Sequence, residues 1–139
     1  MRYVLAIALM LFSFSGLVLA QSTTDDTPWQ AVVTQQVEAF RYGDSAAALA
    51  VAGLKFKESF ANPDDFYAAI ERSGYAPIIK SRSHSFGDFQ KISDALVVQV
   101  VKFVGPDYGL YEALYQMGKE SDGWRVLGVA LKREQGIGA

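Results

Sequence analysis

The chain contains no cysteine among its 139 residues. That excludes disulfides, a thiol nucleophile and a thiolate metal centre, so any fold must be held by packing alone. It has one histidine, His84, with no adjoining Asp or Cys to complete a triad or a metal set. Positive charge is not in excess, with 13 Lys+Arg against 15 Asp+Glu and a net charge of −2. That balance points away from nucleic acid and anionic membrane surfaces as partners. Phosphate-cradling glycine loops, dinucleotide fingerprints and the HExxH helix are all missing. Around Asp107-Tyr108-Gly109 there are too few acids for a calcium loop. No cofactor and no metal are therefore expected.

What is present begins with a compartment signal. A basic start, Met1-Arg2-Tyr3, precedes an apolar run from Val4 to Phe12 and a second from Leu17 to Ala20. With small residues at Val18-x-Ala20, these are the parts of a secretory signal peptide cut after Ala20. The alternative is an uncleaved anchor, since about 20 apolar residues can span a bilayer. Ser13, Ser15 and Gly16 soften the run and favour cleavage. The expected product is exported, periplasmic or secreted, with no membrane attachment once cut. Residues 21–26 (QSTTDD) then read as a flexible leader, 27–133 as a single domain, and 134–139 (EQGIGA) as a flexible tail.

The domain opens on helix signals. Thr27-Pro28-Trp29-Gln30 combines an N-cap, a proline at the first helical position and a capping-box glutamine. Trp29, Val32, Val33, Val37 and Phe40 then recur at helical period, with Gln36 the one polar residue on the stripe. Gly43 is placed to end that helix. Asp44 can cap a second helix, Ser45–Ala52; Leu54–Phe60 is unassigned. Asn62-Pro63-Asp64-Asp65 starts a third helix, which Gly74 stops.

Strand signals follow. Tyr75-Ala76-Pro77 reads as a turn into an extended edge strand, Pro77–Phe86, which Gly87-Asp88 ends. Ala95–Val104, Tyr108–Met117 and Trp124–Lys132 are β-rich runs separated by short Gly-bearing links, the pattern of an antiparallel meander. Helices first and strands after predict an α+β fold: three N-terminal helices packed on a curved four-stranded antiparallel sheet. Such a layer would form a cone with a pocket at its mouth.

Both faces of the meander carry apolar residues, where a sheet with one wet face should alternate more cleanly. A partner subunit is the simplest cover, so a homodimer through the sheet is expected.

Phe40 followed by Gly43-Asp44, and Asp122-Gly123-Trp124-Arg125-Val126, resemble the nuclear transport factor 2-like (cystatin-like) superfamily. Adding Phe66, Gly74-Tyr75-Ala76-Pro77, Gly105-Pro106-Asp107, Ala113-Leu114-Tyr115 and Gly128-Val129-x-Leu131, the set is similar to a bacterial family named domain of unknown function 4864. The resemblance spans Trp29 to about Gly138. It implies a cone-shaped α+β fold, frequent dimers and export, and no activity.

Four side chains are candidate pocket residues: Phe40, Tyr111, Tyr115 and Trp124. They could line an apolar site carrying a few hydroxyls, or simply fill the core. Lys80, Arg82 and His84 alternate on the predicted edge strand. Either they hold a weakly anionic ligand, with His84 as a general base, or they are a solvated edge. Asp44 is a helix cap or a rim acid. Three function classes stay open: a non-enzymatic module for a small apolar or weakly anionic ligand, an interaction module working as a homodimer, and a small isomerase, cyclase or hydrolase. The enzyme reading has the least support, because no acid/base pair can be read from spacing.

Overall fold

The computed structural model describes residues 26–134. The expected signal peptide, the leader before Asp26 and the tail beyond Glu134 lie outside these residues.

Helix α1, Pro28–Arg41, buries Trp29, Val33, Gln36, Val37, Ala39 and Phe40, the stripe its period predicts. Gly43 closes it at φ +71°. The Gly43 amide bonds Phe40 O and the Asp44 amide bonds Ala39 O at 2.8 Å, a Schellman closure. The Thr27 side chain does not cap the helix as the capping box expects, and the Gln30 side-chain nitrogen donates to Gln99. Asp44 accepts from the Ala47 amide at 3.0 Å and starts α2, Ser45–Ala50. Asp44 is therefore the cap. The stretch left unassigned is α3, Leu54–Ser59. Helix α4, Pro63–Arg72, starts with Asn62 accepting from the Asp64 amide.

The described residues thus carry five helices rather than three, since the fifth, α5, is Ala76–Ile79. This corrects the extended reading of Pro77. Proline suits the first turn of a helix as well as extended chain, and Ile78 and Ile79 are both buried instead of alternating.

Four strands form an antiparallel meander in chain order: β1 Ser83–Ser93, β2 Leu96–Val104, β3 Leu110–Glu120 and β4 Gly123–Arg133. Gly87-Asp88 does not end β1; the register shifts between Phe86 and Phe89, a bulge. Gly87 packs on Val100, whose Cγ1 would lie 3.1 Å from an added Cβ. Gly118 does not end β3 either. An added Cβ there would meet Leu127 Cδ1 at 2.5 Å, so this glycine serves packing and the strand runs on to Glu120.

A second shift, between Gln116 and Met117 against β4, places Leu127 as an extra residue between Val126 and Gly128. Val126 is buried, and Trp124, Val129 and Leu131 pack against the core with it. Lys102, Glu112 and Lys132 form an ion-paired rung on the opposite face. The core sits between that inner face and the helices, with α1 crossing it and β4 joined at its edge by the Ala52–Val126 bridge. Among the described residues no helix is long and apolar enough to cross a membrane.

Candidate functional site

Between the helices and the β3–β4 half of the sheet lies a cavity of about 310 Å³. Its apolar wall is Phe40, Phe56, Phe66, Ile70, Val126 and Val129. Helical spacing sets Phe66 and Ile70 on one face of α4. Phe66 is the centre of an aromatic group, with Phe40 at 6.2 Å, Phe56 at 5.9 Å and Phe60 at 5.6 Å between ring centroids. Such rings give a rigid, apolar surface.

Polar groups reach the cavity from four residues, Gln36, Ser73, Tyr75 and Tyr115. Two of them are already occupied. Ser73 Oγ donates to Ala69 O at 2.8 Å, and Tyr75 Oη donates to Val129 O at 2.7 Å. Gln36 uses its amide nitrogen on Ala48 O at 2.9 Å, which leaves its carbonyl oxygen free to accept. Tyr115 is 1% exposed, yet its hydroxyl makes no hydrogen bond to a described residue. No buried side-chain N or O atom among the described residues is sealed off without a partner. Both free oxygens therefore keep accessible surface, and both residues line the cavity. Burial first, and then the neighbouring Tyr75, hold the Tyr115 hydroxyl well above the usual tyrosine range. It stays a neutral O–H.

The expected pocket residues divide. Phe40 and Tyr115 line the cavity; Tyr111 and Trp124 do not. Tyr111 shares the inner face with Tyr115 but stands four residues along β3, ~13 Å away at strand rise. There its hydroxyl donates to Asp107 at 3.1 Å and accepts from Arg133 at 2.7 Å. Trp124 packs edge-on against Trp29, centroids 5.4 Å apart, in the core beyond the cavity.

Lys80, Arg82 and His84 do not form a stripe, because the helical turn α5 breaks the alternation. Lys80 is the exposed residue after α5. Arg82 lies 3.9 Å over the Tyr108 ring and donates to Pro106 O, stapling the β2–β3 loop. His84 is half-buried between α1 and the sheet. Arg41 Nη2 donates to its Nδ1 at 3.1 Å, so the proton of the neutral ring sits on Nε2, facing Thr34 Oγ1 at 3.1 Å. Burial and the Arg41 charge lower its pKa below 6.5, with Glu38 opposing. No carboxylate accepts from its ring, and His84 is not among the cavity-lining residues.

Sequence reasoning missed Gln36 and Tyr75 as site residues. Gln36 did carry a signal, as the one polar side chain on an otherwise apolar stripe. Tyr75 gave none, because its role depends on a carbonyl 54 residues away. Among the described residues no group of three or more His, Cys, Asp or Glu could hold a metal ion.

A family model described as a domain of unknown function (DUF4864) matches residues 22–139. The chain belongs to that family. Its fold is similar to that of a solved domain of unknown function with a cystatin-like fold from Nostoc punctiforme. The two share 15% sequence identity at a TM-score of 0.57, covering 84% of this chain and 82% of the other. No curated protein matches the chain. At that identity the similarity supports the cystatin-like α+β architecture of the family member, and its function rests on the site.

Proposed function

We propose that this family member is a non-enzymatic binding module whose cavity takes one small, mainly apolar molecule. The observation that carries the proposal is the buried Tyr115 hydroxyl, without a hydrogen-bond partner among the described residues, on a side chain that lines about 310 Å³ of mainly apolar space. That volume lies at the lower end of small-molecule sites, which combine apolar walls with a few placed polar groups. The enzyme reading has less support. Among the described residues the lining holds no Asp, Glu, Lys, Arg or His, so they offer no acid/base pair with Tyr115.

Native mass spectrometry of the protein purified from its own host tests the proposal. A retained small molecule, lost in an Ile70→Trp variant that fills the cavity, is expected. A bare protein whose thermal midpoint responds to no member of a neutral hydrophobic library would contradict it.

A second role, as a homodimer, is favoured by the outer sheet face. Leu114 is 46% exposed there, with Val98 and Val100 partly exposed beside it. Lys102 and Lys132 balance Glu112 and Glu134 on that surface, so a second copy can approach without net repulsion. Light scattering reports the outcome: a monomer at high micromolar concentration would end this reading. Export after cleavage at Ala20 belongs to the same proposal, and N-terminal sequencing of the host-purified protein checks it.

A further inference from the structure

We infer that the cavity selects a neutral ligand with one hydrogen-bonding head, such as an alcohol or phenol, over carboxylates of the same shape. The inference rests on the binding role proposed above and narrows its ligand class, excluding the weakly anionic ligands that the sequence left open.

Two features carry it. The first is the presence of two unused polar atoms on residues that line the same cavity. Tyr115 offers a hydroxyl that can donate, and Gln36 offers a carbonyl oxygen that can only accept. The Gln36 amide cannot turn round to donate into the cavity without losing Ala48 O. Both residues are more than nine-tenths buried, so an apolar ligand would leave both unpaired. A ligand hydroxyl can meet either demand, accepting from Tyr115 or donating to Gln36. A carboxylate can accept from Tyr115, but it has no proton for Gln36 and sets negative charge against that oxygen.

The second feature is that no described residue of the lining carries positive charge. Arg41 is close enough to act on Tyr115, but its guanidinium is engaged by Ser81 Oγ and His84 Nδ1, each at 3.1 Å. A buried carboxylate without a cation pays a large desolvation cost. Tyr75 does not relieve it, because its proton is committed to Val129 O.

Three probes with one ring system separate the possibilities: 2-naphthol, naphthalene and 2-naphthoate, titrated at pH 7 by calorimetry against the protein after denaturation and refolding to strip retained ligand. We expect 2-naphthol to bind about tenfold more tightly than naphthalene, the effect of a net buried hydrogen bond, and 2-naphthoate to bind at least tenfold more weakly than 2-naphthol. In Tyr115→Phe the preference of naphthol over naphthalene should shrink severalfold. Gln36→Met should act in the same direction, giving a second readout if one variant folds poorly. Naphthoate binding as tightly as naphthol, or naphthol no tighter than naphthalene, would overturn the inference while leaving a binding cavity. Failure of all three probes to bind would overturn the binding role as well.

Discussion

The indole N–H of Trp29 donates to the side-chain carbonyl of Gln99 across 2.7 Å, joining the first turn of α1 to the middle of β2. Both residues are fully buried. The other end of Gln99 donates to Gly87 O at 2.9 Å and Asp88 O at 3.3 Å, the carbonyls that the β1 bulge removes from the ladder. One amide thus docks the helix and completes the bulge. Gln99→Leu would leave the indole donor and the bulge carbonyls unpaired. At 1–3 kcal/mol for an unsatisfied buried group, the buried indole donor sets an expected loss of about 2 kcal/mol by urea denaturation, the bulge carbonyls being only part-buried. A loss below ~1 kcal/mol would show that Gln99 does not pin the helix to the sheet.

Asp44 tests the capping assignment at small cost to the fold. Asp44→Ala should lower stability by about 1 kcal/mol, while Asp44→Ser, which keeps an acceptor for the Ala47 amide, should be nearly silent. Equal losses in both would mean that the carboxylate has a role beyond the cap.

His84 links stability to pH. Its folded pKa is lowered below 6.5 by burial and by Arg41, with Glu38 opposing. The unfolded chain therefore binds the proton more readily than the folded one. Neutral His84 contributes fully above about pH 6.5, and its contribution falls as the pH drops through that value toward the lower folded pKa. Thr34, Arg41 and Glu38 face the ring from α1, with Phe86 and Phe103 from the sheet. Between pH 7.5 and 5.5 the wild type should lose more unfolding free energy than His84→Gln. Parallel pH profiles would contradict the buried neutral ring.

Asp107 should titrate abnormally. Arg133 at 2.8 Å, the Gly109 amide and Tyr111 hold its carboxyl at about pKa 2. In Arg133→Gln the carboxyl should return toward the ordinary range. Carbon-detected NMR titration measures both values, and an unchanged pKa in the variant would refute the pairing.

Much of this architecture could be read from residue order. The stripe from Trp29 to Phe40, the Gly43 closure, the Asp44 cap and the three β-rich runs are local signals, and the structure keeps them. What failed was non-local. Gly87 and Gly118 look like strand ends, yet each sits mid-strand because a distant side chain, Val100 or Leu127, fills the space beside it. Pro77 is compatible with extended chain or a first helical turn, and only the burial of both Ile78 and Ile79 decides between them. The site was half legible for the same reason. Phe40 and Tyr115 line the cavity, whereas packing on Trp29 and the Asp107–Arg133 pair hold Trp124 and Tyr111 elsewhere.

The central claim concerns the space between helices and sheet, and isotope-filtered NOE spectroscopy with 2-naphthol reports on it directly. The account predicts contacts from the ligand to the methyl groups of Ile70, Val126 and Val129. Contacts to Val98, Val100 and Leu114 on the opposite face, or none to either set, would contradict it.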